Sequence, residues 1–93
     1  MLRFENLDVW KRGTALCVEM YRYFAGLKDF GFRDQITRSA LSVPSNIAEG
    51  FERLSTKERA RFWSYAKGSV GELRTQIHIG HEIGYITEDK AGR

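Results

Sequence analysis

Gln35–Gly50, QITRSALSVPSNIAEG, is the stretch whose reading decides the fold. Ile36, Ala40, Val43 and Ile47 recur at steps of four, three and four, the spacing of one apolar helical stripe. Gln35, Arg38, Ser42, Asn46 and Glu49 recur at steps of three, four, four and three and make a polar stripe beside it. Pro44 stands in the middle, where it removes a backbone donor and crowds the carbonyl of Ala40. A helix that accepts this proline is held by packing rather than by propensity. The small residues Ser39, Ala40, Ser42, Ser45, Ala48 and Gly50 let a second backbone come close. Serine hydroxyls near Pro44 reach backbone groups that the proline leaves unpaired. The spacing predicts a helix over about residues 33–52.

Upstream, Leu7, Trp10, Thr14, Cys17, Tyr21 and Phe24 alternate steps of three and four. Val9, Gly13, Leu16, Met20 and Leu27 form a second stripe. Together they predict a helix over about residues 8–26, with an apolar face wider than one neighbour covers. Asn6 or Asp8 is the expected cap, and Phe4 the expected staple. The run GLKDFG, residues 26–31, carries the turn. Downstream, Ser55-Thr56-Lys57-Glu58 fits a capping box and opens a helix predicted to run over about residues 56–83, with Gly84 as its stop. Phe62, Ala66, Ser69, Leu73, Ile77 and Gly80 trace its seam, flanked by Trp63 and Val70. Gly68, Gly71 and Gly80 each cost about 1 kcal/mol against alanine in a free helix, and close packing is the expected compensation. The tail TEDKAGR is expected to fray. No period-two alternation or hairpin signal appears. The fold class is therefore all-α: one domain over residues 1–93, an up-down antiparallel bundle.

At 93 residues the chain is a single small domain with a modest core. Hydrophobic residues make up 42% and charged residues 29%, an ordinary balance for a globular chain. No apolar run approaches the ~20 residues of a membrane helix. The N-terminal MLRFENLDVWKRG has no signal-peptide core. The single Cys17 lies on a core stripe and reads as a buried thiol rather than a nucleophile. These features favour the cytoplasm, with no membrane partner. A net charge of +3 is weakly basic and multiplies in a homo-oligomer.

Three stretches taken together, FENLDVWKRG, QITRSALSVPSNIAEGFERLS and FWSYAKGSVGELRTQI, with the closing IGYI, resemble a known family. It is that of the small four-helix bundle proteins encoded in intervening sequences of bacterial 23S ribosomal RNA genes. The accessory variability proteins of diversity-generating retroelements share that architecture. The resemblance covers nearly the whole chain, and its most specific elements are SNIAEG and GSxxEL. It implies an up-down bundle that assembles as a ring, typically a homopentamer, with no known catalytic activity. For the retroelement relatives it implies a basic surface that contacts reverse transcriptase and nucleic acid. The family pattern continues beyond IGYI with a connector and a fourth helix, whereas this sequence ends at Arg93. Three helices alone expose apolar surface on helices 1 and 3 unless neighbouring subunits cover it.

Carried over residue by residue, the motifs give Asn46, Glu49 and Gly50 from SNIAEG, and Ser69 and Glu72 from GSxxEL. If helices 2 and 3 are antiparallel neighbours, these join Gln35, Arg38 and Ser42 in a buried polar layer that sets register and assembly. Buried carboxylates need partners, and Arg38 and Arg74 are the expected ones. The competing reading, Glu49 and Glu72 as an acid–base pair, lacks a nucleophile. His78, His81 and Glu82 share a helix face but match no metal motif, and they read as helix-end side chains. GSVG fits neither a phosphate loop nor a nucleophile elbow. No catalytic, cofactor-binding or metal residue is therefore assigned.

Lys11, Arg12, Arg22, Lys57, Arg59, Arg61 and Lys67 are the candidates for a nucleic-acid surface. Three of them crowd the first turns of helix 3, where the helix dipole disfavours cations. Trp10, Trp63 and Tyr65 are aromatics able to stack on bases, although at helical spacing they more often pack in a core or a subunit interface. The sequence thus leads to a non-enzymatic oligomeric bundle that binds structured RNA or an RNA-handling protein. The alternative is a self-assembling scaffold with no nucleic-acid partner.

Overall fold

A computed structural model of the protein describes residues 3–87. It contains a 3₁₀ turn, Phe4–Asn6, and three α-helices: α1 Asp8–Tyr23, α2 Phe30–Glu52 and α3 Thr56–Glu82. There is no strand among the described residues. Short connections reverse the chain twice, so α2 runs antiparallel to α1 and to α3 and packs on both. No Cα of α1 comes within 8 Å of a Cα of α3. The central helix is therefore the scaffold, and its apolar stripe is the floor of the core. Ile36, Ala40, Val43 and Ile47 are all buried. At one end they meet Cys17, Met20, Phe24, Leu73 and Ile86, and at the other Ala66, with Leu7 and Trp10 packed beside it.

Helix α2 continues unbroken through its buried proline, where α1 packs closely on it. A Cβ added to Gly13 of α1 would lie 3.4 Å from Val43 Cγ1 and 3.8 Å from Pro44 Cβ, so α1 sits directly on this turn. The serine beside the proline acts on a neighbouring carbonyl: Ser45 Oγ donates to Leu41 O at 2.8 Å. On the other side, α3 comes so close at Gly50 that an added Cβ would lie 2.6 Å from Trp63 Nε1.

The helix ends differ from the sequence expectation in three places. Helix α1 stops at Tyr23 rather than near residue 26, and its N-cap is Leu7, with no side-chain cap from Asn6 or Asp8. The staple is nevertheless in place, with the Phe4 and Trp10 rings 5.5 Å apart. Helix α2 begins three residues earlier than expected, because Asp29 Oδ1 accepts from Phe32 N at 3.1 Å and caps it. Ser55 caps α3 as expected, accepting from Glu58 N at 3.1 Å.

Past α3, Gly84 adopts φ +86° and turns the chain back. Tyr85 and Ile86 donate their N–H groups to Gly80 O, and Ile86 buries its side chain against Gly80 and Phe32. Tyr85 Oη donates to Asp29 Oδ2 at 2.8 Å, and Thr87 N donates to Tyr23 Oη at 3.1 Å. The segment after α3 is thus tied to α1 and α2 at one end of the bundle. Nearly all of the TEDKAGR tail lies outside the described residues.

Candidate nucleic-acid interface

The polar stripe of α2 meets α3 along one seam, and the structure divides the expected layer in two. Ser42, Asn46, Ser69 and Gly50 lie in it. Ser69 Oγ donates to Ser42 Oγ at 2.7 Å, and Asn46 Nδ2 donates to Ser42 Oγ and to Ser42 O, each at 2.8 Å. Gly50 is buried under Trp63 and Phe62. Gln35, Arg38, Glu49 and Glu72 are exposed, and this corrects the expectation of a buried layer with carboxylates. Short side chains reach the seam from the edge of the contact, whereas the longer ones extend to water, where ionised groups are solvated. Glu49 pairs with Arg53 one turn along, rather than with Arg38 or Arg74. Glu49 and Glu72 therefore share no buried site in the subunit.

Arg53 was not singled out by the sequence, although its spacing of four from Glu49 was a readable signal. Its guanidinium also lies over the Phe62 ring, 4.8 Å from the centroid, and Phe62 in turn meets the Tyr65 ring edge-on at 5.6 Å. Arg59 Nε donates to Arg53 O at 2.7 Å. Arg59 therefore closes the end of α2, satisfying a carbonyl that the helix leaves open. That contact uses one donor of Arg59 on a neutral carbonyl and leaves its charge in place on an exposed side chain.

Lys11, Arg12, Arg22, Lys57, Arg61 and Lys67 are exposed, and none takes part in an ion pair among the described residues. They fall into two groups, three on α1 and three on α3. Of the aromatics, Trp10 is half-buried against the core, while Trp63 and Tyr65 are 48% and 52% exposed. The glycines of α3 divide likewise. Gly80 is closely packed, but an added Cβ at Gly68 or Gly71 would meet nothing within 4 Å. Packing inside the subunit therefore does not account for those two, contrary to expectation.

Cys17 is buried, and desolvation raises its thiol pKa above the ordinary value. His81 Nδ1 lies 3.8 Å from Glu82, and no group of three potential metal ligands occurs among the described residues. None of the helices is long and apolar enough to cross a membrane. Compared with known families, residues 5–93 match the model described as 23S rRNA-intervening sequence protein, and the chain belongs to that family. No curated protein matches the chain.

Proposed function

We propose that this member of the 23S rRNA-intervening sequence family is a non-catalytic, self-associating helical bundle in the cytoplasm that binds structured RNA through its exposed cations. The observation that carries the reading is the set of six exposed basic side chains, on α1 and α3, that pair with no carboxylate among the described residues. Unpaired surface cations are available to phosphates, and each phosphate neutralised releases condensed counterions. Self-association is supported by the separation of α1 from α3 and by the exposed apolar side chains Val9, Leu41, Trp63, Val70, Ile79 and Ile83. The resemblance to the accessory variability proteins suggests a ring of five, in which the six cations of each subunit recur around the assembly. It also suggests an RNA-handling protein as a further partner.

The polar seam serves register in this reading. Ser42, Asn46 and Ser69 hydrogen-bond to one another between α2 and α3. The second reading, a scaffold with no nucleic-acid partner, draws on the same exposed apolar side chains. Binding of a labelled structured RNA, measured at low and near-physiological salt, separates the two. RNA binding with a steep salt dependence is the expected result, and its absence at low salt leaves the scaffold.

A further inference from the structure

The cations of α3 are arranged with an aromatic ring and an open glycine in one row. Lys57, Arg61 and Tyr65 follow one another at steps of four, and Gly68 comes three further on. On a helix these positions stack on one face, with about 6 Å of rise per four residues. All four are exposed. Lys57 and Arg61 make no ion pair among the described residues. The Tyr65 ring is held by its edge-on contact with Phe62, and Phe62 is held by the Arg53 guanidinium above it. Tyr65 is thus a half-exposed ring with a second ring against its edge. Next to it, Gly68 has no Cβ, and nothing fills the space where one would be.

We propose that this row, Lys57–Arg61–Tyr65–Gly68, is a platform for unpaired nucleotides of the bound RNA. One base stacks on the Tyr65 ring over the bare backbone at Gly68, and its flanking phosphates lie along Arg61 and Lys57. The inference rests on the RNA-binding reading above and assigns that reading a site and a class of RNA. Single-stranded nucleotides are favoured over a duplex because only an unpaired base offers its π-face to a side chain. The two cations match the negative charge of the strand, and Glu72, four residues beyond Gly68, repels a further phosphate and ends the row. The glycine also gains a reason. Its helix-weakening backbone is kept where a side chain would fill the space the base needs.

The test uses the full chain with a short single-stranded RNA carrying 2-aminopurine, and a duplex RNA of the same length. Wild type is expected to bind the single strand with quenching of the 2-aminopurine. Tyr65→Ala is expected to weaken that binding about tenfold, the scale of one stacked base, and to abolish the quenching. Tyr65→Phe should restore both. Gly68→Leu should weaken single-strand binding while raising thermal stability, a pairing that a purely structural role does not produce. Replacing Lys57 and Arg61 by serine should lower the log–log salt slope by about 1.4. If wild type binds neither RNA at low salt, the RNA-binding reading fails and this inference with it. If wild type binds but Tyr65→Ala and Gly68→Leu bind equally well, with wild-type circular dichroism, only the platform is overturned. Should Tyr65→Ala misfold, Gly68→Leu decides alone: unchanged affinity and unchanged quenching in that variant overturn the platform.

Discussion

Three glycines of this chain take the same substitution with opposite results. At Gly50 an added methyl would lie 2.6 Å from Trp63 Nε1, 2.7 Å from Trp63 Cδ1 and 3.2 Å from Phe62 Cβ. Non-bonded carbon contacts settle near 3.5–4.0 Å. The indole must therefore retreat by about 1 Å, and Phe62 Cβ, close to the α3 backbone, by a few tenths of an ångström. Overpacking of this kind costs about 1–3 kcal/mol, against a helix-propensity gain of about 1 kcal/mol. Gly50→Ala should then destabilise the protein by up to about 2 kcal/mol. At Gly68 and Gly71 the methyl meets nothing within 4 Å, so each alanine should stabilise by about 1 kcal/mol and raise the melting temperature by about 4–8 °C. Urea titrations followed by tryptophan fluorescence and circular dichroism give the three values, and Gly50→Ala should also shift the Trp63 emission. Adding Trp63→Ala should remove most of the Gly50→Ala penalty. If Gly50→Ala stabilises as much as Gly68→Ala, α2 and α3 are not in the contact described. If Gly68→Ala or Gly71→Ala destabilises in a concentration-dependent way, that face is covered in an assembly and is not free.

The polar seam and the bundle end give further outcomes. Ser42→Ala removes the acceptor of Ser69 Oγ and one acceptor of Asn46, and should cost about 1–2 kcal/mol. A double-mutant cycle with Ser69→Ala should show coupling above about 0.5 kcal/mol, and additive effects would contradict the bond. Glu49→Gln breaks an exposed ion pair and should change stability by no more than about 0.5 kcal/mol, leaving oligomeric state intact. Dissociation of the assembly in that variant would instead place Glu49 at a subunit contact. Asp29 is held below its ordinary pKa, first by the Phe32 N–H and then by Tyr85, while Asp29 raises Tyr85. A depressed carboxylate stabilises the fold above its unfolded pKa, and that contribution is lost as pH falls through its folded value. The raised phenol stabilises below its unfolded pKa, and its contribution is lost as pH rises through the folded one. Thermal melts should therefore weaken at both extremes, and Tyr85→Phe should abolish the alkaline part that belongs to this pair.

The legible parts of the molecule were those that local spacing decides. The apolar stripe of α2 reads correctly because a period of 3.6 repeats over about three turns, and Ser55 reads correctly because a cap and its donor lie three residues apart. The early start of α2 was hidden because Asp29 sits in a glycine-flanked run with the chemistry of a turn, and the same residue is a cap. Periodicity placed Gln35, Arg38, Ser42, Asn46 and Glu49 on a common side of α2, but periodicity carries no depth. Side-chain length decides which of them reach the seam, and only the short ones do. Tyr85 and Asp29 are 56 residues apart, so no local pattern joins them. Arg59 looked like a free cation, and its bond to the Arg53 carbonyl depends on the angle of the turn between α2 and α3.

The central claim is that this bundle is an RNA-binding assembly, and one titration tests it most directly. Labelled structured RNA is titrated with the full chain at low and near-physiological salt, while the mass of the protein in solution is recorded. The account predicts an oligomer whose log–log salt slope is several units, the mark of many phosphate contacts made at once. Absence of binding at low salt, on a folded protein, would contradict it.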